Sequence, residues 1–191
     1  MKKAIFLDRD GVLTKLVYNH ATNEYESPHY KKDLKFYPGI LKFLMKLKAM
    51  GYLLFLVSNQ PSYAKGKASL KNIKAIHKKF HIYLCSHGIT FNKYYYCYHH
   101  PQGSIPRYSF DCKCRKPKPL FLLKAKEQHK LDMDNSWVIG DRDSDIECGK
   151  RAGVRTILIK GKQTRQKREN AHPDFSTDNL RNAVNIISRF K

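Results

Sequence analysis

Short apolar runs alternate along this chain with stretches in which apolar residues recur every three or four positions. Residues 4–7, 53–57, 94–96, 137–139 and 156–159 form runs without polar alternation, the pattern of strands buried on both faces of a parallel sheet. Pro38-Gly39 opens a helix carrying Ile40, Leu41, Leu44, Leu47 and Met50, and Gly51 ends it. The same reading predicts helices over residues 69–86, 119–129, 145–152 and 179–189. Strand–helix alternation of this kind predicts an α/β fold, a doubly wound, Rossmann-like parallel sheet with helices on both faces. Residues 15–35 and 99–116 break the alternation, and insertions in such folds commonly border the ligand.

Length and composition narrow the class. A chain of 191 residues corresponds to about one domain, residues 1–191, large enough to bury a core without a disulfide scaffold. No apolar run approaches the ~20 residues of a membrane span. After Met1, Lys2 and Lys3 only four apolar residues precede Asp8, whereas a signal-peptide core needs at least ~7. The expected setting is cytoplasmic. Lys and Arg number 37 against 16 Asp and Glu, a formal charge of +21 that attracts polyanions. The plain reading of that excess is a solvated lysine surface. Its densest run, Lys160, Lys162, Arg165, Lys167 and Arg168, reads as a loop without the interleaved aromatics of a single-strand binding platform.

Open α/β sheets bind ligands beyond the carboxyl ends of their strands. There the first strand leads into Asp8-Arg9-Asp10-Gly11, the second into Ser58-Asn59-Gln60, and the fourth into Gly140-Asp141-Arg142-Asp143-Ser144-Asp145. Taken singly, Asp8 or Asp141 reads as a turn former or helix cap. Delivered to one edge together, they read as a site. Asp8 and Asp10 point to the same side of an extended chain. Clustered carboxylates repel unless a cation lies between them, and oxygen ligands favour Mg²⁺. Aspartate is also a competent nucleophile toward phosphorus, and a second carboxylate can protonate the leaving oxygen and then activate water. Ser58 and Lys116 are candidates to offset charge on the phosphoryl oxygens.

In their order, Asp8-Arg9-Asp10-Gly11, Ser58-Asn59-Gln60, Arg115-Lys116-Pro117 and Gly140-Asp141-Arg142 resemble the motifs of the haloacid dehalogenase-like phosphatases. The resemblance implies Asp8 as nucleophile, Asp10 as general acid and base, and Ser58 and Lys116 as holders of the phosphoryl group. It further implies Mg²⁺ on the side chains of Asp8 and Asp141 and the backbone carbonyl of Asp10, with Asp145 one layer out. Asn59, Gln60, Arg115 and Arg142 are the expected substrate contacts. Arg9 reads as a sheet-edge residue whose backbone N–H matters more than its side chain.

A narrower likeness lies in the irregular loop at residues 97–116. Cys97-Tyr98-His99-His100-Pro101-Gln102-Gly103 and Cys112-Lys113-Cys114 supply three thiols and an imidazole, a set suited to tetrahedral Zn²⁺. The pairing resembles the zinc loop of the D-glycero-D-manno-heptose 1,7-bisphosphate phosphatases and the related histidinol-phosphatases. That likeness implies a structural zinc on Cys97, His99, Cys112 and Cys114. His100 reads as structural or substrate-facing, and Cys85 and Cys148 as ordinary buried cysteines. Pro61 and the wording of residues 15–29 depart from the heptose pattern, and Gly140-Asp141-Arg142 with Asp145-Ile146 is closer to the histidinol one.

The expected activity is therefore a Mg²⁺-dependent phosphomonoesterase passing through an aspartyl phosphate, with heptose 1,7-bisphosphate cut at its 7-position. Histidinol phosphate or another small sugar phosphate is the alternative substrate. A zinc-stabilised nucleic-acid binder, or a polynucleotide 3′-phosphatase, is the reading from a different class. The expected partner is a small phosphorylated sugar rather than nucleic acid or membrane, with the chain a monomer.

Overall fold

The computed structural model describes residues 1–168, 170 and 172–190. In chain order the elements are β1 (Ala4–Leu7), β2 (Val17–Asn19), β3 (Glu24–Glu26), α1 (Ile40–Ala49), β4 (Leu53–Asn59), α2 (Leu70–Cys85), β5 (Lys93–Cys97), α3 (Leu120–His129), β6 (Trp137–Gly140), α4 (Asp143–Arg151), β7 (Arg155–Ile159), β8 (Phe175–Thr177) and α5 (Leu180–Ser188). Six strands form one parallel sheet in the order β5-β4-β1-β6-β7-β8. The doubly wound α/β expectation holds.

Side chains leave a strand alternately on its two faces, and the core divides accordingly. Ile5 and Leu7 of β1 join Leu54, Leu56, Ile139 and Ile157 beneath α1, α2 and α5. Ala4 and Phe6 join Phe55, Val57 and Val138 beneath α3 and α4. Because both faces are covered, the strands read as unbroken apolar runs. Register then aligns the strand ends: Leu7 lies beside Leu56 on one side and Ile139 on the other. The polar residues that follow β1, β4 and β6 thus emerge at one edge.

The differences from expectation are local. β4 extends to Asn59, so Ser58 is a strand residue paired with Tyr96 rather than the start of a loop. α4 begins at Asp143, two residues before the predicted start, because the Asp145 carboxylate turns back to accept the Asp141 and Arg142 N–H groups. β8 is an additional three-residue edge strand. Within residues 15–35, β2 and β3 pair as an antiparallel hairpin, turned through Asn23 at φ 53°. The basic run at 160–168 is mostly a 3₁₀ helix, Lys162–Lys167, rather than a plain loop. No helix among the described residues is long and apolar enough to cross a membrane.

Candidate active site

The Asp8 N–H donates to the Ile139 carbonyl at 3.1 Å, carrying the β1–β6 ladder one residue beyond the strand and setting where the carboxylate emerges. Lys116 reaches it from the far end of the irregular loop. Its buried ammonium donates to Asp8 Oδ1 at 2.8 Å and to the Val57 carbonyl at 2.7 Å, and it pairs with Asp145 Oδ1 at 2.5 Å. Burial opposes the lysine charge, but Asp145 and Asp8 prevail and raise its pKa above the ordinary value. Burial raises Asp8 despite Lys116. Asn59 fixes the lysine's backbone: its amide donates to the Lys116 carbonyl and its oxygen accepts the Lys116 N–H, both at 3.1 Å. Both ends of the Asn59 carboxamide are therefore engaged by the chain itself.

Asp10 sits in a very different environment. Arg9 grips it with a fork, Nε to Oδ1 at 2.9 Å and Nη2 to Oδ2 at 2.7 Å. Gln60 Nε2 donates to Oδ2 at 2.7 Å, and the Thr14 hydroxyl to Oδ1 at 2.8 Å. Burial works against the ionised form, but Arg9, Gln60 and Thr14 overcome it and bring Asp10 to about 2. Arg9, read from sequence as a backbone contributor, is instead a fully buried side chain that also meets Gln60 Oε1 at 2.9 Å and His77 Nδ1 at 2.7 Å. Burial, then Arg9, lowers His77 to about 3. Gln60 also donates to the Ser58 hydroxyl at 3.0 Å. Gln60, expected at the substrate, lies in this buried network rather than on the cavity wall.

Asp141 is the outlier. It is wholly buried, and neither carboxylate oxygen has a hydrogen-bond partner. Desolvation pushes its pKa well up. Oxygens of Asp8, Asp141 and Asp145 lie within 4.8 Å of one another. Gly11, at φ +97°, leaves the room they need, since a Cβ there would stand 2.1 Å from Asp141 Oδ2. Buried carboxylates gathered this closely, with both Asp141 oxygens lacking a hydrogen-bond partner, are a fit for a hard cation with oxygen ligands.

The loop after β5 brings together the second set. Sγ–Sγ distances are 3.4 Å for Cys97–Cys112 and 3.3 Å for Cys112–Cys114, and His99 Nδ1 stands 3.7 Å from both Cys97 and Cys114. All five cysteines are free thiols. The bond Cys97 donates to Cys114 raises Cys97 and lowers Cys114 to about 5. Three thiolates cannot coexist at this spacing without a cation, and the donor set is that of a closed tetrahedral site. His100 lies outside it, its Nδ1 accepting the Gln102 N–H at 3.1 Å. Cys148 is buried as expected. Cys85 is only half-buried, near His81, because it occupies the last turn of α2.

A cavity of about 150 Å³ opens over the carboxylates, lined by Asp8, Asp10, Asn59, Arg115, Lys116, Arg142 and Asp145. Its outer wall carries residues that sequence reasoning did not single out. Glu24, Tyr25, Glu26 and Ser27 come from the hairpin, Pro61, Ser62, Lys65 and Lys67 from the turn after β4, and Lys167 from the 3₁₀ helix. Lys67 pairs with Glu26, and Lys167 stands 3.8 Å from Glu24. Lys65 and Arg115 have no carboxylate partner among the described residues. Burial first, then nearby cations, lowers the pKa of Lys65. Burial and Arg142 lower that of Arg115. The hairpin's contribution was detectable only as an alternation, Glu24-Tyr25-Glu26, too short to weigh.

The HAD-hydrolase-like family model matches residues 113–183. The D-glycero-β-D-manno-heptose-1,7-bisphosphate 7-phosphatase of Vibrio cholerae is 33% identical over 191 residues, 100% of this chain and 98% of that one. The enzyme of the same name from Pasteurella multocida is 39% identical over 161 residues, 84% of this chain and 83% of that one. Among solved structures, the D,D-heptose 1,7-bisphosphate phosphatase from B. bronchiseptica, complexed with magnesium and phosphate, superposes with a TM-score of 0.79 at 22% identity over 99% of both chains. By these matches the chain belongs to the HAD-like phosphatases, in the family of the D-glycero-D-manno-heptose-1,7-bisphosphate 7-phosphatases.

Proposed function

We propose that this chain hydrolyses the 7-phosphate of a heptose 1,7-bisphosphate through an aspartyl phosphate on Asp8. The observation that carries the substrate class is the pair of cations without a carboxylate partner among the described residues, Lys65 and Arg115, on the wall of the cavity that holds Asp8. Arg115 Nη1 donates to the His99 carbonyl at 3.2 Å and leaves its other donors for a ligand. Lys116 already serves the reacting end, so these two suit an anionic group elsewhere on the same substrate. Arg115 offers a fork of donors matched to phosphate. Histidinol phosphate, which carries an ammonium instead, would meet repulsion there, since Glu24 and Glu26 already face lysines.

The chemistry follows from the buried groups. A carboxylate oxygen of Asp8 attacks phosphorus while the bond to the sugar oxygen breaks, and Asp10 gives that oxygen its proton. Asp10 then takes a proton from water, which attacks the same phosphorus, releasing phosphate and restoring Asp8. Asp10 is ionised in the free site; an arriving phosphoryl dianion raises its proton affinity and so prepares it as an acid. Lys116, on the cavity wall, holds the phosphoryl oxygens, with the Ser58 hydroxyl, which lies behind that wall and accepts from Gln60, as the second candidate. Mg²⁺ would be held by Asp8, Asp141 and the Asp10 carbonyl, where it supplies charge neutralisation between carboxylates and phosphoryl group. Asp145 is already engaged by Lys116 and two backbone N–H groups, which leaves it the outer position. Zn²⁺ on Cys97, His99, Cys112 and Cys114 would be structural, because protein fills all four positions. Reduced thiols agree with a cytoplasmic enzyme.

The test is phosphate release with Mg²⁺ from both anomers of heptose 1,7-bisphosphate, fructose 1,6-bisphosphate, histidinol phosphate and a 3′-phosphorylated oligonucleotide. A kcat/KM for one heptose anomer at least about 100-fold above the other classes is expected. Preference for histidinol phosphate or the oligonucleotide would overturn the substrate assignment.

A further inference from the structure

The Arg9–Asp10 fork continues into a third side chain that the chemistry above does not use. Arg9 Nη1 stands 2.7 Å from Nδ1 of His77, on α2. Guanidinium can only donate, so Nδ1 must be the acceptor and the His77 proton must sit on Nε2. The ring is fixed in that plane by Tyr96 of β5, stacked on it at 3.6 Å between centroids and 13° between planes. Nε2 is buried without a partner. A purely structural histidine would be expected to use that donor; this one leaves it idle and satisfies only the arginine.

We propose that His77 is a positioning residue: through Arg9 it fixes the side-chain orientation of Asp10. Four of the five N–H groups of Arg9 go to the two oxygens of Asp10, Gln60 Oε1 and His77 Nδ1. His77 is the anchor on the side away from Asp10, so it sets the plane in which the fork presents itself. Without an acceptor at that point, the guanidinium can tilt toward other partners, and Asp10 follows it out of line with the leaving oxygen. The loss falls on proton transfer and hence on kcat, since neither His77 nor Arg9 lines the cavity. The assignment rests on the acid–base role proposed for Asp10.

His77→Phe keeps a ring on Tyr96 but removes the acceptor, whereas His77→Asn restores an oxygen near the position of Nδ1. With Mg²⁺ and heptose 1,7-bisphosphate, His77→Phe is expected to lower kcat roughly 10- to 100-fold with KM within about twofold. His77→Asn is expected to recover most of that loss. Unchanged kcat in His77→Phe, a loss confined to KM, or no recovery in His77→Asn would overturn the assignment. A wild-type enzyme that releases no phosphate from any substrate would overturn the catalytic reading itself. Should His77→Phe fail to fold, ¹⁵N chemical shifts of His77 in the wild-type protein decide: a protonated Nε2 with an accepting Nδ1 supports the proposal, and a protonated Nδ1 overturns it.

Discussion

Asp8, Asp141 and Asp145 are brought together by the parallel sheet and by the first turn of α4. Cys97, His99, Cys112 and Cys114 are brought together by a loop whose only regular piece is the 3₁₀ turn Pro106–Tyr108. The first cluster stands on strands buried on both faces, so its geometry is inherited from the core. The second has almost no apolar burial of its own beyond Cys97 and Cys112. The acidic cluster would therefore keep its place without an ion, whereas the loop around the thiols has little but hydrogen bonds and any metal they would hold to fix its shape.

That contrast can be broken from either side. Asp8→Asn should lower turnover at least about 10⁴-fold without moving the melting temperature, because it removes the proposed nucleophile and leaves the sheet intact. Residual turnover within tenfold of wild type would remove the covalent mechanism. Withholding Mg²⁺ alone should likewise abolish phosphate release while far-ultraviolet circular dichroism and thermal unfolding stay unchanged. Next in size is the double change Cys112→Ser, Cys114→Ser. Zinc content is expected to fall from about one per chain toward zero, with stability and activity lowered together. Full metal content in that variant would mean that the loop is held some other way.

Gly11→Ala sharpens the comparison from within the acidic cluster. The added Cβ would meet Asp141 Oδ2 at 2.1 Å on a backbone at φ +97°, so a stability loss of about 1–3 kcal/mol should accompany weaker Mg²⁺ dependence. A thermal melt and a metal titration read both. Smallest is Lys65→Ala, on the exposed wall. It should raise KM for the bisphosphate by about tenfold, some 1.4 kcal/mol, with kcat near wild type, as steady-state kinetics would show. Equal KM values for variant and wild type would detach the second phosphate from this wall.

The strands that carry the acidic cluster were legible because burial on both faces writes itself as an apolar run. β8 was not, being three residues, Phe175–Thr177, at the sheet edge with an exposed middle position. The hairpin was missed for a related reason: Glu24 and Tyr25 are exposed and contribute to a cavity wall instead of a core. Asp8, Asp10, Ser58, Lys116 and Asp141 could be named from the chemistry at the strand ends together with the motif resemblance. Their inequality could not. That Asp10 is held near 2 while Asp141 is driven up depends on Arg9, Thr14, Gln60 and Gly11, whose side chains or missing side chain matter only once the chain is folded. Arg9 shows the limit clearly, since nothing in Asp8-Arg9-Asp10 says that the arginine turns inward to His77, 68 positions away.

The paired hydrogen bonds between Asn59 and the Lys116 backbone have a consequence for how this enzyme can diversify. Together with the thiol cluster they hold both ends of residues 98–111, so the lysine keeps its place whatever happens between them. Ser104 and Ile105 in that stretch donate their N–H groups to the Ala64 carbonyl, at 2.7 and 3.1 Å, and so support the turn that bears Lys65 and Lys67. Insertions or substitutions there would reshape the outer wall of the cavity at a distance from the reacting carboxylates. The loop is thus an exchangeable cassette, through which substrate choice can drift across generations while the phosphoryl chemistry is inherited unchanged.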